Sequence, residues 1–155
     1  MHPKAHKISF TKEGYEKLEK EQEELLAKRT QAVTELKKAR EMGDLSENGA
    51  YKGARFLLNQ IDSRLRYLHH TLLHAEVIEA APKGIVGLNT KVVISDGKVV
   101  DAFHIVGEHE ANPMEGKISP KSPIGSKLMG RKEGDQVEVH LPKGKVIYTI
   151  QKITS

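Results

Sequence analysis

The sequence predicts an α+β protein in which an antiparallel helical hairpin precedes an antiparallel β-sheet domain with one short helix, and three observations carry that reading. Apolar residues recur at alternating steps of three and four between Tyr15 and Ala75. The step falls to two after Pro82. The two helical stretches mirror each other about a single turn.

The first helical stretch runs from Thr11 to about Met42. It contains no proline and consists mostly of Glu, Lys, Leu, Gln and Ala, all good helix formers, with Thr11 placed to cap it. Its seam is Tyr15, Leu18, Gln22, Leu25, Arg29, Ala32, Leu36 and Ala39, of which Gln22 and Arg29 are polar positions that set register or loosen the pairing. The second stretch, from about Ser46 to about Glu76, carries Tyr51, Ala54, Leu58, Ile61, Leu65, Leu68, Leu72 and Ala75.

Each residue of one seam has a mate in the other at the same distance from position 45, so a turn centred there pairs the two stretches with no register slip. Gly43 suits the left-handed residue that ends a helix, and Ser46 suits the cap of the next. Each arm of about 30 residues would be roughly 45 Å long.

After Ala80-Ala81-Pro82-Lys83-Gly84 short apolar runs alternate with turn residues. Val92-Val93-Ile94, an Asp96-Gly97 turn and the run from Val99 to Val106 predict one β-hairpin. Val137 to Leu141 and Val146 to Ile150, around Pro142-Lys143-Gly144, predict another. Between them, Ser122 to Gly130 reads as a short helix with Ser at the cap and Pro in the first turn. The expected domains are therefore residues 1–80, with the tip at 43–47, and residues 81–155.

Composition narrows the function. The 155 residues include 37% hydrophobic, 5% aromatic and 30% charged residues, which points to a folded chain with an elongated element and a modest core. Cysteine is absent, which removes disulfides, thiolate metal sites and thiol nucleophiles. No apolar run reaches the roughly 20 residues of a membrane span, and the first residues lack a signal-peptide core, so a cytoplasmic protein without membrane contact is expected. A net charge of +4 allows a polyanionic partner without marking a dedicated DNA binder.

The tip carries Glu41-Met42-Gly43-Asp44-Leu45-Ser46-Glu47-Asn48, three carboxylates in one turn region where packing requires none. Two explanations stand open on pattern alone. Acidic residues near a helix start gain about 0.3–1 kcal/mol each from the dipole. Alternatively, Asp44 and Glu47 offer hard oxygen ligands to a Mg²⁺ ion, a weak site that needs a partner's carboxylates to complete it. Lys52 and Arg55, one helical turn apart, are either a solvated face or a contact for RNA. His69, His70 and His74 contain an i, i+4 pair without a third defined ligand.

The run Gly43-Asp44-Leu45-Ser46-Glu47-Asn48, followed by Tyr51 and set between two heptad arms, closely resembles the tip of the bacterial Gre transcript-cleavage factors, the GreA/GreB family. The resemblance extends over nearly the whole chain, through Thr11-Lys12-Glu13-Gly14-Tyr15-Glu16-Lys17-Leu18, His74-Ala75-Glu76-Val77-Ile78, Ile105-Val106-Gly107-Glu108, Gly116 to Gly125 and Gly134 to Val139. It implies a coiled coil that enters the secondary channel of RNA polymerase, and an FKBP-like C-terminal domain that docks at the channel's rim through the Gly116 to Gly130 stretch. It implies further that Asp44 and Glu47 help the polymerase hold Mg²⁺ and position the attacking water, so that a backtracked nascent RNA is cleaved near its 3′ end.

On this reading the chain is not itself an enzyme. It is a monomer when free, Ser46 and Asn48 support the tip, and Lys52 and Arg55 face the RNA. Gly49-Ala50 departs from a family pattern in which many members place an acidic residue before the tyrosine.

Three alternatives accompany this reading. A channel-binding inhibitor on the same scaffold is opposed by the intact Asp44 and Glu47. A prolyl isomerase or chaperone is opposed by a C-terminal domain holding only Phe103 and Tyr148 as aromatics. A plain coiled-coil adaptor would make the tip dispensable.

Overall fold

The computed structural model describes residues 6–43, 47–79 and 81–155. By packing, the chain divides into two compact units, Glu16–His74 on the one hand and Met1–Tyr15 with Ala75–Ser155 on the other.

The first unit is the helical hairpin. Helix α1 spans Lys12–Glu41 and helix α2 spans Gly49–Leu73. Every seam position except Arg29 is buried or half-buried, with Ala32, Ala39, Ile61 and Leu68 buried. Cross-helix links follow the expected antiparallel order. The Nε atom of Arg29 meets Asp62 at 2.5 Å, and Arg64 donates from Nε and a terminal nitrogen to Glu21 at 2.6 and 3.0 Å. The paired guanidinium holds the Glu21 carboxyl below its ordinary range. Arg29 thus leaves the seam for the surface, where its charge finds a carboxylate at a small desolvation cost.

Two boundaries differ from expectation. Helix α2 starts three residues after Ser46, and it ends at Leu73. Ala75–Val77 forms a strand instead, because its backbone pairs in parallel with β1, Ile8–Phe10, as β2. Ile78 N–H extends that pairing by donating to Phe10 O at 2.9 Å. The pair puts the chain's early residues into the second unit.

The second unit is built on a five-stranded sheet. Strands β3 (Lys91–Ser95) and β4 (Val100–Ile105) form the first predicted hairpin. Gly97 turns it at φ 93°, and the Asp96 carboxylate accepts from the N–H groups of Lys98 and Val99 at 2.8 and 2.7 Å. Those donors hold the Asp96 carboxyl below its ordinary value. After the two-residue strand β5 (Lys117–Ile118) comes helix α3 (Pro123–Leu128), capped by Ser122 as expected. Strands β6 (Gln136–Leu141) and β7 (Gly144–Thr154) form the second hairpin.

The sheet order is β5-β4-β3-β7-β6. It is mixed rather than antiparallel throughout, since β5 runs parallel to β4 through His104↔Lys117 and Ile105↔Ile118. Two residues of strand between Gly and Ser carry too little alternation to be read from sequence. The core lies on one face of the sheet and includes Val92, Ile94, Ile105, Val137, Val139 and Ile150, with Val86 and Leu128 packed among them.

A part-buried clasp starts α1 within this unit. Thr11 Oγ1 accepts from Gly14 N–H at 3.1 Å, the expected cap. The hydroxyl donates in turn to Glu110, whose other carboxylate oxygen accepts from the N–H groups of Thr11 and Gly107 at 2.9 and 3.2 Å. Gly107 is obligatory in this arrangement, because a Cβ there would lie 2.1 Å from the carbonyl oxygen of Ser9.

Candidate functional site

At the tip, α1 ends at Glu41 and Gly43 takes a φ of 117°, a positive value that glycine accepts without steric cost. Asp44, Leu45 and Ser46 lie outside the described residues. Glu47 is exposed and immediately precedes the N-cap of α2, which is Asn48 and not Ser46. Asparagine wins this position through both ends of its amide. Its Oδ1 accepts from Tyr51 N–H at 3.2 Å and caps α2, while its Nδ2 donates to Ala39 O at 2.8 Å and ties the start of α2 to the end of α1. A serine hydroxyl has one proton and a shorter reach, and cannot make that cross-link while capping.

Ala39 O also accepts from Met42 N–H at 3.2 Å, so a carbonyl near the helix end that would lack a full set of partners is doubly satisfied. The small Ala39 side chain is buried in the seam. Nearby, the Arg40 guanidinium sits 5.8 Å from the ring centroid of Tyr51, a cation–π contact between the two helices. Neither the Ala39 link nor the Arg40–Tyr51 contact was foreseen. The sequence signal available for the first was that Asn ranks with Ser among capping residues.

This capping geometry bears on the tip carboxylates. The first turn of α2 contains no acidic residue, and Asn48 already performs the cap. Glu47 therefore stands outside the helix. Lys52 and Arg55 are both exposed on α2.

The histidine pair has a structural use. His74 is the C-cap of α2, its Nδ1 lies 2.8 Å from His70 O, and the two rings stand 4.4 Å apart at centroids. Among the described residues no group of three or more metal-ligating side chains occurs.

The Gly116 to Gly130 stretch is tightly bonded. Ser122 Oγ donates to Ser119 O at 2.7 Å and accepts from Gly125 N–H at 3.0 Å. A Cβ at Gly125 would lie 2.0 Å from Ser119 O. Lys121 pairs with Glu108 at 3.0 Å and holds that carboxyl below its usual range. Pro123, Ser126, Lys127 and Met129 remain exposed along this ordered surface.

Comparison with known proteins gives this geometry its context. The model of the GreA/GreB transcription elongation factor N-terminal region matches residues 8–77, and the model of the GreA/GreB C-terminal region matches residues 81–155. The chain belongs to the GreA/GreB transcription elongation factor family. It is 40% identical over 153 residues to transcription elongation factor GreA of Thermotoga neapolitana, covering 96% of this chain and 98% of that one. It is 40% identical over 152 residues to GreA of Listeria welshimeri, with 94% of each chain covered, and 38% identical over 151 residues to GreA of Nitratiruptor sp., covering 95% and 93%.

Among solved structures, the GreA factor homolog 1 (Gfh1) protein of Thermus thermophilus is similar at 27% identity and a TM-score of 0.47, over 97% of this chain and 100% of that one.

Proposed function

We propose that the chain binds RNA polymerase, enters its secondary channel with the hairpin tip, and stimulates the polymerase's own Mg-dependent cleavage of backtracked nascent RNA, so that an arrested complex regains a 3′ end in register. The observation that carries this reading is the cap. Among the described residues the side chain that caps α2 is that of Asn48, and the first turn of the helix holds no acidic residue, so Glu47 is not needed as the cap. Family membership supports the same direction.

The donor chemistry fits the ion. Asp44 and Glu47 would supply hard carboxylate oxygens, Glu47 from an exposed position, and two such ligands leave most of an octahedral shell to water and to carboxylates of the polymerase. When bound, Mg²⁺ supplies charge stabilisation at a phosphodiester oxygen and lowers the pKa of a coordinated water. The chain's own contribution is carboxylate oxygens, which would orient a water for in-line attack and accept its proton as it attacks. Ser46 and Asn48 support the tip backbone. Lys52 and Arg55, both exposed on α2, would neutralise phosphates of the extruded strand.

Functionally, the helical hairpin within residues 1–80, Glu16–His74, acts as the probe. Residues 81–155, which we read as FKBP-like, act as the docking body, with the exposed residues between Gly116 and Gly130 touching the polymerase. The chain works as a monomer in the cytoplasm and is no enzyme by itself.

The test is transcript cleavage by stalled polymerase complexes across a Mg²⁺ titration, with wild type and with Asp44→Asn/Glu47→Gln. The double variant is expected to lose stimulation while keeping its affinity for polymerase. Undiminished stimulation by that variant would refute the reading.

A further inference from the structure

His69, His70 and His74 lie in or next to the last turn of α2, and two of them, His70 and His74, stand one helical turn apart on the same side. Their ring centroids are 4.4 Å apart and the ring planes are inclined at 48°. His70 is exposed and His74 half-buried.

The C-cap accounts for one ring only. His74 Nδ1 donates to the carbonyl oxygen of His70 at 2.8 Å, and the His74 N–H reaches the same oxygen at 3.2 Å. A carbonyl can only accept, so Nδ1 carries the proton and a neutral His74 keeps its lone pair on Nε2. That bond uses the backbone of residue 70, which any amino acid supplies. The imidazole at position 70 adds nothing to it. The position is exposed and lies outside the seam, so packing does not call for a ring there either. A cation near the end of a helix is favourable, yet Lys or Arg would carry that charge without facing a second ring that repels it when both are protonated.

Two imidazoles four residues apart on a helix are a ligand arrangement for a divalent transition-metal ion. A carbonyl accepting from the far nitrogen of one ring orients that ring and raises the basicity of the ligating nitrogen. Imidazole suits zinc, nickel and copper, whereas Mg²⁺ takes oxygen ligands. Among the described residues no third metal-ligating side chain adjoins the pair, so water would complete the coordination, and binding would be weaker than in a closed four-ligand site.

We propose that His70 and His74 form a two-histidine chelate for a divalent ion of the zinc, nickel and copper class, with His74 ligating through Nε2. The chelate is a clip over the last turn of α2, at the point where the helix gives way to β2, whose first residue is Ala75. Bound metal holds the His74 N–H to His70 O bond closed and limits fraying of that end. The inference stands apart from the cleavage reading, which concerns carboxylates at the opposite end of the hairpin.

The experiment titrates the full-length protein with ZnCl₂ at about pH 7.5, above the ordinary histidine value, and follows the imidazole C–H resonances by NMR together with amide exchange at His74. Both rings should shift together to saturation, and the His74 amide should exchange more slowly. His70→Gln leaves the cap bond in place, because that bond uses the backbone oxygen. It should weaken the zinc response of His74 at least about tenfold, since two linked ligands gain about a hundredfold or more over one. His69→Gln removes an imidazole outside the ring pair and should respond like wild type. MgCl₂ should leave both rings unmoved.

Any of five results would overturn the proposal: no saturable shift at His70 and His74, unchanged His74 amide exchange once zinc has saturated, an undiminished His74 response in His70→Gln, a loss in His69→Gln as large as in His70→Gln, or an equal response to MgCl₂.

Discussion

The clasp at the start of α1 yields a prediction whose sign changes with background. The Glu110 carboxylate satisfies two backbone donors, Thr11 N–H at 2.9 Å and Gly107 N–H at 3.2 Å, besides the Thr11 hydroxyl. Thr11 is 2% exposed, so its N–H has little access to replacement water. Hydrogen bonds to a charged group contribute about 1.5–3 kcal/mol each. Because Glu110 is only half-buried, water recovers part of that, and Glu110→Ala should destabilise the β1–β2 region by about 2–4 kcal/mol.

Gly14→Ala would place a Cβ 1.9 Å from Glu110 Oε1, and the carboxylate must swing away. That displacement gives up part of the clasp, about 1–2 kcal/mol net. With Glu110 already alanine the obstruction is gone, and Gly14→Ala should instead stabilise by about 0.5–1 kcal/mol through helix propensity. The double-mutant cycle should therefore show a coupling of about 2 kcal/mol.

Native-state hydrogen exchange at Thr11, Gly107 and Ile78 is the suitable assay, since a chain of two units need not unfold in one step. Additivity within about 0.5 kcal/mol would refute the reasoning.

Two further predictions follow from the same kind of accounting. His104 lies with its Nε2 2.9 Å from Asn89 Oδ1, and its pKa is held below 6.5 first by burial, then by Lys91 and Lys117, against the opposing pull of Glu13 and Glu110. The unfolded chain then binds the proton more readily, so the stability linked to this ring is complete above its unfolded value and is lost as pH falls toward the folded one. An NMR titration should place the His104 midpoint below 6.5, and His104→Gln should flatten the acid-side fall in urea midpoint; a midpoint at or above the ordinary value contradicts this. Asn48→Ala should cost about 1–2 kcal/mol locally and raise exchange at Tyr51 N–H, with Asn48→Asp in between because it keeps the cap but loses the donor to Ala39 O. Unchanged exchange at Tyr51 in Asn48→Ala would rule the cap out.

The hairpin was legible because its signal is long and redundant. Sixteen seam positions share one centre of symmetry, and a local error at any one of them cannot shift the register. The two β-hairpins and the Ser122 cap were legible because their turn residues have few other uses. What escaped reading depends on contacts distant in sequence. Thr11 and Glu110 are 99 residues apart, and nothing local marks Glu110 as the partner of a helix start. Strand β2 was read as the last turn of α2, since Ala75 and Glu76 are as acceptable in a helix as in a strand until β1 supplies a partner. At the tip, Ser46 and Asn48 were both competent caps by type, and the choice fell to a link with Ala39 O that only three-dimensional proximity provides.

That choice has a mechanical consequence for the tip. The seam near the turn sets one small side chain against each large one, Ala39 against Tyr51 and Ala54 against Leu36, so less apolar area holds the last turns together than where large residues face each other. Among the described residues, polar and electrostatic links add to the seam there: Asn48 to Ala39 O, and Arg40 over Tyr51. Each such link contributes on the order of 1 kcal/mol, comparable with thermal opening of a helix end and far below the cooperative packing of a full seam. Substitutions at Asn48, Arg40 or Tyr51 should accordingly loosen the backbone that carries Glu47 without melting the arm. Their functional effect would be a loss of tip presentation with helix content retained, distinct from removal of the carboxylates themselves.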